Sequence, residues 1–231
     1  MKNSKEIIVI SLGGSLIIPE KIGYKFLNKF KKILRKYYRM YKFVIVCGGG
    51  TIARKYISAL EKEGKSKREL SFAGIRATRM NANFLMQFFG KEANDGLPLN
   101  MKDIKSNLAK NSVVVCGALR YSNNSTSDTT AAKIAYYIGI DFINITNVKG
   151  LYNKDPKKYK NAKFISKISW KEFEKMALKT KFKAGQHFVL DQQAAVLIKK
   201  NEIKTYIIGN DLKNLERILK EKKFEGTLIK G

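Results

Sequence analysis

The chain has 231 residues, room for one domain or two closely joined lobes around a sizeable core. Its 44% hydrophobic share is that of a globular chain, and no apolar run approaches the ~20 residues that span a bilayer. The net charge is +27, from 46 basic and 19 acidic residues, which raises a polyanion partner as one possibility. The basic residues are 38 Lys and only 8 Arg, spread along the chain among many Asn and Ile. That pattern reads as compositional bias. Specific base recognition favours Arg, so nucleic acid is not the expected partner. A basic field would still steer phosphate-bearing substrates to a cleft. Cys47 and Cys116 lie far apart without metal-ligand spacing and read as buried thiols in the cytoplasm.

The amino terminus, MKNSKEIIVISLGG, lacks a small-residue cleavage site and is read as leading into a first strand. That strand is Glu6–Leu12, apolar without alternation, as in a strand buried on both faces. A helix follows over Ile22–Tyr38, with Ile22, Phe26, Phe30, Ile33 and Leu34 at helical spacing. Lys42–Cys47 is a second buried strand, Thr51–Glu63 a helix and Glu69–Phe89 a long helix. Asn111–Cys116 is a third strand. Helix Asp128–Ile138 and strand Asp141–Ile145 come after a polar loop. Lys-rich residues Asn147–Ser166 read as a loop, with turn signals KG and DP. Helices Trp170–Leu178 and Val189–Lys200, strand Lys204–Ile208, helix Asp211–Lys220 and a short strand at GTLI complete the chain. Alternating strands and helices predict a three-layer α/β/α sandwich on a mostly parallel sheet. There is no repeat or flexible linker, and a soft boundary falls near 146–150.

The special residues gather at the carboxyl ends of the predicted strands, where open parallel sheets bind ligands. Gly13, Gly14 and Ser15 follow the first strand, and Gly48, Gly49 and Gly50 the second. Gly117 opens the loop after the third strand, Thr126, Ser127 and Asp128 close it, and Thr146 and Asn147 follow the fourth. Glycine there exposes backbone N–H groups, and a following helix N-terminus favours an anion. The three consecutive glycines are expected to let phosphate approach the backbone. No Walker A motif occurs, and no cluster of metal-ligand residues competes with this reading.

Six segments carry a resemblance: SLGGSL (11–16), VCGGGTIARKYI (46–57), AGIRATRMNAN (73–83), TSDTTAA (126–132), ITNVKGLYNKDP (145–156) and KAGQHFVLDQQAA (183–195). In this order they resemble the amino-acid-kinase superfamily, and within it the archaeal-type UMP kinases. The resemblance covers nearly the whole chain. It implies one domain, 1–231, with an acceptor lobe over 1–146 and an ATP lobe over 147–231. It also implies phosphoryl transfer from ATP, with Mg²⁺, to UMP in a cytoplasmic homo-oligomer, a hexamer in the family.

Carried over by position, Gly14, Ser15, Gly50 and Arg54 would meet ATP phosphates. Thr146, Asn147, Tyr152 and Asp155 would hold the nucleoside part. Gly49, Ser71, Arg79 and the loop Leu119, Arg120, Tyr121, Ser122, Asn123, Asn124, Ser125, Thr126 and Ser127 would take UMP. Asp128 would organise catalysis together with Arg54. Asp128 has the simpler reading of a helix cap, and Arg54 with Lys55 that of a solvated helix face. Lys183 could reach a phosphate, and Trp170 reads as packing.

Four positions depart from the family pattern. Ser11 stands where many members have Lys, and Ser71 where an Asp is thought to hold the UMP ribose, with Glu69 close by. Ala118 replaces a glycine in a longer loop, and Lys149 turns V-D-G into V-K-G. Two other readings therefore stand beside UMP phosphorylation. One is the same fold acting on another small phosphate or carboxylate acceptor. The other is a nucleotide-sensing or nucleic-acid-binding protein on this scaffold.

Overall fold

The uninterrupted apolar runs of the sequence form the middle of a single sheet. A computed structural model of the protein describes residues 5–121, 126–156, 158–179 and 189–231. In chain order the elements begin with β1 (Glu6–Leu12), α1 (Gly14–Ile17), α2 (Tyr24–Tyr37), β2 (Tyr41–Cys47), α3 (Gly50–Lys62) and α4 (Lys67–Phe89). After a 3-10 turn come α5 (Met101–Lys110), β3 (Val113–Cys116), α6 (Ser127–Ile138) and β4 (Phe142–Ile145). Then follow β5 (Leu151–Tyr152), β6 (Phe164–Ile165), β7 (Lys167–Ile168) and α7 (Trp170–Leu178). The chain finishes with α8 (Gln192–Lys200), β8 (Thr205–Ile208), α9 (Lys213–Leu219) and β9 (Thr227–Ile229).

Seven strands pair in the order β3-β2-β1-β4-β8-β9-β7. All neighbours are parallel except β8 and β9, which run antiparallel. Alternate residues of the central strands feed two cores. Ile10, Leu12, Phe43, Ile45, Val113 and Val115 face α2, α4 and α9. Val9, Val44, Val46, Val114 and Phe142 face α5, α6, α7 and α8. The predicted three-layer sandwich on a mostly parallel sheet is what forms. Cys47 and Cys116 end adjacent strands but belong to opposite cores, and both are buried.

Three differences from the sequence reading have physical causes. The segment after α4 holds a helix, α5, that has few apolar residues; only Ile104 and Leu108 are buried on it. Its start is fixed by polar chemistry, the Asn100 side chain accepting from the Asp103 amide at 3.0 Å. The amino end of α4 lies before Glu69, because Ser66 and Glu69 form a reciprocal capping box. Residues 147–166 are not all loop, since β5 and β6 pair as an antiparallel ribbon.

Candidate active site

β1 and β2 end side by side, and the loops that leave them cross. The Gly48 amide donates to the Leu12 carbonyl at 2.9 Å, and the Asn81 side chain to the Gly48 carbonyl at 2.7 Å. A Cβ on Gly14 would lie 2.3 Å from both the Gly48 oxygen and the Gly50 nitrogen. One on Gly50, whose φ is +61°, would lie 2.4 Å from the Gly14 carbonyl carbon. The missing side chains are therefore required by backbone packing on backbone. Backbone packing is thus a requirement on these glycines in addition to the phosphate approach expected from the sequence. A side chain on Gly49 would instead meet the Ala53 Cβ at 2.5 Å.

The crossed loops form one wall of a cleft of about 770 Å³ at the carboxyl ends of the strands. Gly14, Ser15, Gly49, Gly50 and Arg54 line it from the loops and α3. Arg54 is half-buried, and burial lowers its proton affinity. Its guanidinium donates to the Thr51 hydroxyl at 3.0 Å, and no carboxylate pairs with it among the described residues. A cation held in this way beside exposed backbone amides suits an anion.

Thr126, Ser127 and Asp128 line the opposite wall. Asp128 does not cap α6; the Thr126 hydroxyl does, accepting from the Asp128 amide at 3.1 Å. The Asp128 carboxylate instead accepts from the Ser11 hydroxyl at 2.7 Å. Burial, with Asp191 nearby, pushes its carboxyl up to about 7, while the Ser11 bond pulls the other way. Asp191 is buried and caps α8 through the Ala194 amide at 2.8 Å. It also accepts from the Thr126 hydroxyl and from the Thr129 amide at 3.1 Å and hydroxyl at 2.7 Å. One carboxylate thus ties the amino ends of α6 and α8 together beneath the cleft.

On the α4 side the lining is Ser71, Gly74, Ile75 and Thr78. Ser71 bonds within its own helix, to the Lys67 carbonyl at 2.9 Å. Glu69 is occupied at the exposed helix cap with Ser66 and does not take the place of the expected carboxylate. Arg79 does not line the cleft. Its guanidinium donates to the carbonyls of Ala118 (3.0 Å) and Leu119, so it orders the loop that leaves β3. Leu119, Arg120 and Tyr121 line a separate depression next to α5. Ser122, Asn123, Asn124 and Ser125 lie outside the described residues, as does Lys183.

Thr146, Asn147, Tyr152 and Asp155 line the far end of the cleft. Tyr152 packs edge-on against Phe164, ring centroids 5.4 Å apart, so the β5–β6 ribbon gives this end an aromatic wall. Lys149 points its charge elsewhere, 3.8 Å from Glu225 on the surface. The sequence reading missed Asn144, Lys154, Lys158, Met176, Lys179 and Val189, which also line the cleft. Asn144 carried a signal: it is a polar residue in an apolar strand, buried next to Ser11 in the sheet register. The lysines carried none among so many others.

The family model of the amino acid kinase family matches residues 6–209. The uridylate kinase of Methanocaldococcus jannaschii is 35% identical over 231 residues, covering 97% of this chain and 99% of that protein. The uridylate kinase of Thermoplasma volcanium is 36% identical over 218 residues, 94% of each chain. Among solved structures, uridylate kinase from Archaeoglobus fulgidus superposes with a TM-score of 0.82 at 31% identity, covering 96% of this chain and 99% of that one. The chain belongs to the amino acid kinase family, with uridylate kinases of archaea as relatives along nearly its full length.

Proposed function

We propose that the protein is a UMP kinase, transferring the γ-phosphate of ATP to UMP to give UDP and ADP. The observation that carries this is the half-buried Arg54, with no carboxylate partner among the described residues, beside two crossed glycine loops and across a cleft from Asp128. A UMP phosphate oxygen attacks the γ-phosphorus, and the bond to the bridging oxygen of ADP breaks. The attacking UMP oxygen is already ionised at neutral pH, so no general base is needed. Positioning and charge stabilisation then carry the rate. Loop amides and Arg54 would hold the phosphates of the two substrates. Thr146, Asn147, Tyr152 and Asp155 would hold the ATP nucleoside. Gly49, Ser71, Thr126 and Ser127 would border UMP.

Mg²⁺ fits this site as a partner of ATP. Among the described residues no group of three acidic, histidine or cysteine side chains forms a protein cage. An ion brought in on the ATP phosphates would need from the protein only a carboxylate; Asp128, which lines the cleft, would hold it or its water, and the ion would supply charge stabilisation to the transferred phosphate. The same reading makes the protein a cytoplasmic enzyme of pyrimidine nucleotide synthesis and a homo-oligomer, for which the family resemblance suggests a hexamer. No described helix is long and apolar enough to cross a membrane.

The test is a coupled ADP-release assay with ATP–Mg²⁺ and a panel of UMP, CMP, dUMP, isopentenyl phosphate and N-acetylglutamate. UMP is expected to give the highest kcat/KM. Turnover of another acceptor far above UMP would overturn the assignment.

A further inference from the structure

After β3, Ala118 lines the cleft, and the next residues, Leu119, Arg120 and Tyr121, line a second, open depression of about 490 Å³. The depression lies between the start of α5, the loop itself and the first turns of α6. Lys102, Arg120 and Lys133 converge on it, over an apolar floor that includes Met101 and Leu119 and beside the Tyr121 ring. Among the described residues no carboxylate lines it and no ion pair engages these three cations. The neighbouring acid, Asp103, already accepts the Leu99 amide at 2.9 Å. The amino end of α5 adds partial positive charge on the same side.

We infer that this depression is a second anion site, for a small phosphate-bearing molecule with an apolar or aromatic body. These three cations, with no ion-pair partner among the described residues, supply the attraction for the phosphate. The floor and Tyr121, itself stacked on Phe72 at 5.3 Å, supply the surface for the body. Such a ligand would grip Leu119, Arg120 and Tyr121. Arg79 holds the start of this stretch through the carbonyls of Ala118 and Leu119, and Ala118 itself lines the cleft. Occupancy of the second site would therefore bias the acceptor side of the cleft without touching it.

Calorimetric titration of the full chain with 1-naphthyl phosphate tests this, using wild type, Lys102→Ala/Lys133→Ala and Arg54→Ala. Neither lysine lines the cleft, so the double variant should keep wild-type kcat/KM without ligand. The expected result is a saturable site that survives Arg54→Ala and is weakened about tenfold or more in the double lysine variant. Inorganic phosphate, lacking the aromatic body, should bind there more weakly. Binding that is lost in Arg54→Ala and kept in the lysine variant would put the probe in the cleft and overturn the inference. Absence of saturable binding, or equal affinity in all three proteins, would do the same. So would a fall in the basal kcat of the double variant. The binding result does not depend on the acceptor, so a failure of the UMP assignment would leave it standing.

Discussion

The Ser11 hydroxyl donates to the Asp128 carboxylate at 2.7 Å, joining strand β1 to the first turn of α6. A hydroxyl holds the carboxylate in place but brings no charge, so burial dominates and the Asp128 carboxyl is pushed up to about 7.

That shift gives the reaction a pH signature. If the ionised carboxylate is the active form, kcat/KM rises with pH and levels off above about 7. Asp128→Asn should remove the limb and lower kcat/KM by about 10²-fold, as expected for losing one charge-positioning group. A flat profile in wild type would take Asp128 out of the chemistry.

Stability should move the other way. The folded carboxyl holds its proton up to about 7, whereas an unfolded aspartate releases it near the ordinary carboxylate value. In that window the native state binds more protons, so stability from this group falls as pH rises. In thermal melts of ligand-free protein, Asp128→Asn should therefore gain on wild type between pH 4.5 and 7.5 (about the span of the two values). A constant difference across the range would contradict the shift.

The glycine crossing predicts a contrast between two alanine substitutions. Gly50→Ala brings a Cβ to 2.4 Å from backbone at positive φ, whereas at Gly96 nothing lies within 4 Å. Gly50→Ala should cost about 2–4 kcal/mol in denaturant melts and abolish turnover, and Gly96→Ala should be close to neutral. Equal stability of the two would show that the loops can separate.

Asp191 never touches the transferred group in this account, yet its carboxylate fixes the cleft wall. Asp191→Ala leaves the Thr129 and Ala194 donors unsatisfied and should destabilise by about 3 kcal/mol. Asp191→Asn keeps an acceptor oxygen and should recover part of that loss. No recovery, with an undiminished Tm in the alanine variant, would remove its role as a tie.

Much of this architecture could be read from the sequence, and the misses follow a rule. Continuous runs such as EIIVISL and YKFVIVC announce strands buried on both faces, and the glycines after them mark the ligand edge. α5 was hidden because Asn100 and a few apolar residues, not a strong periodicity, define it. The reason for the glycines was hidden too, since a loop crossing is a tertiary contact between segments about thirty-five residues apart. Position along the β3 loop likewise could not separate Thr126 and Ser127, which line the cleft, from Leu119, Arg120 and Tyr121, which line the other depression. Nor could it show that Arg79 would spend its guanidinium on carbonyls rather than on the cleft.

The central claim is that phosphate passes between ATP and UMP beside Arg54, and one comparison tests it most directly. Steady-state UDP formation from ATP–Mg²⁺ and UMP is measured for wild type and Arg54→Ala, with folding checked by thermal melt. The account predicts an undiminished Tm and a fall in kcat/KM for UMP of about 10²-fold or more. Unchanged kinetics in the variant would contradict it.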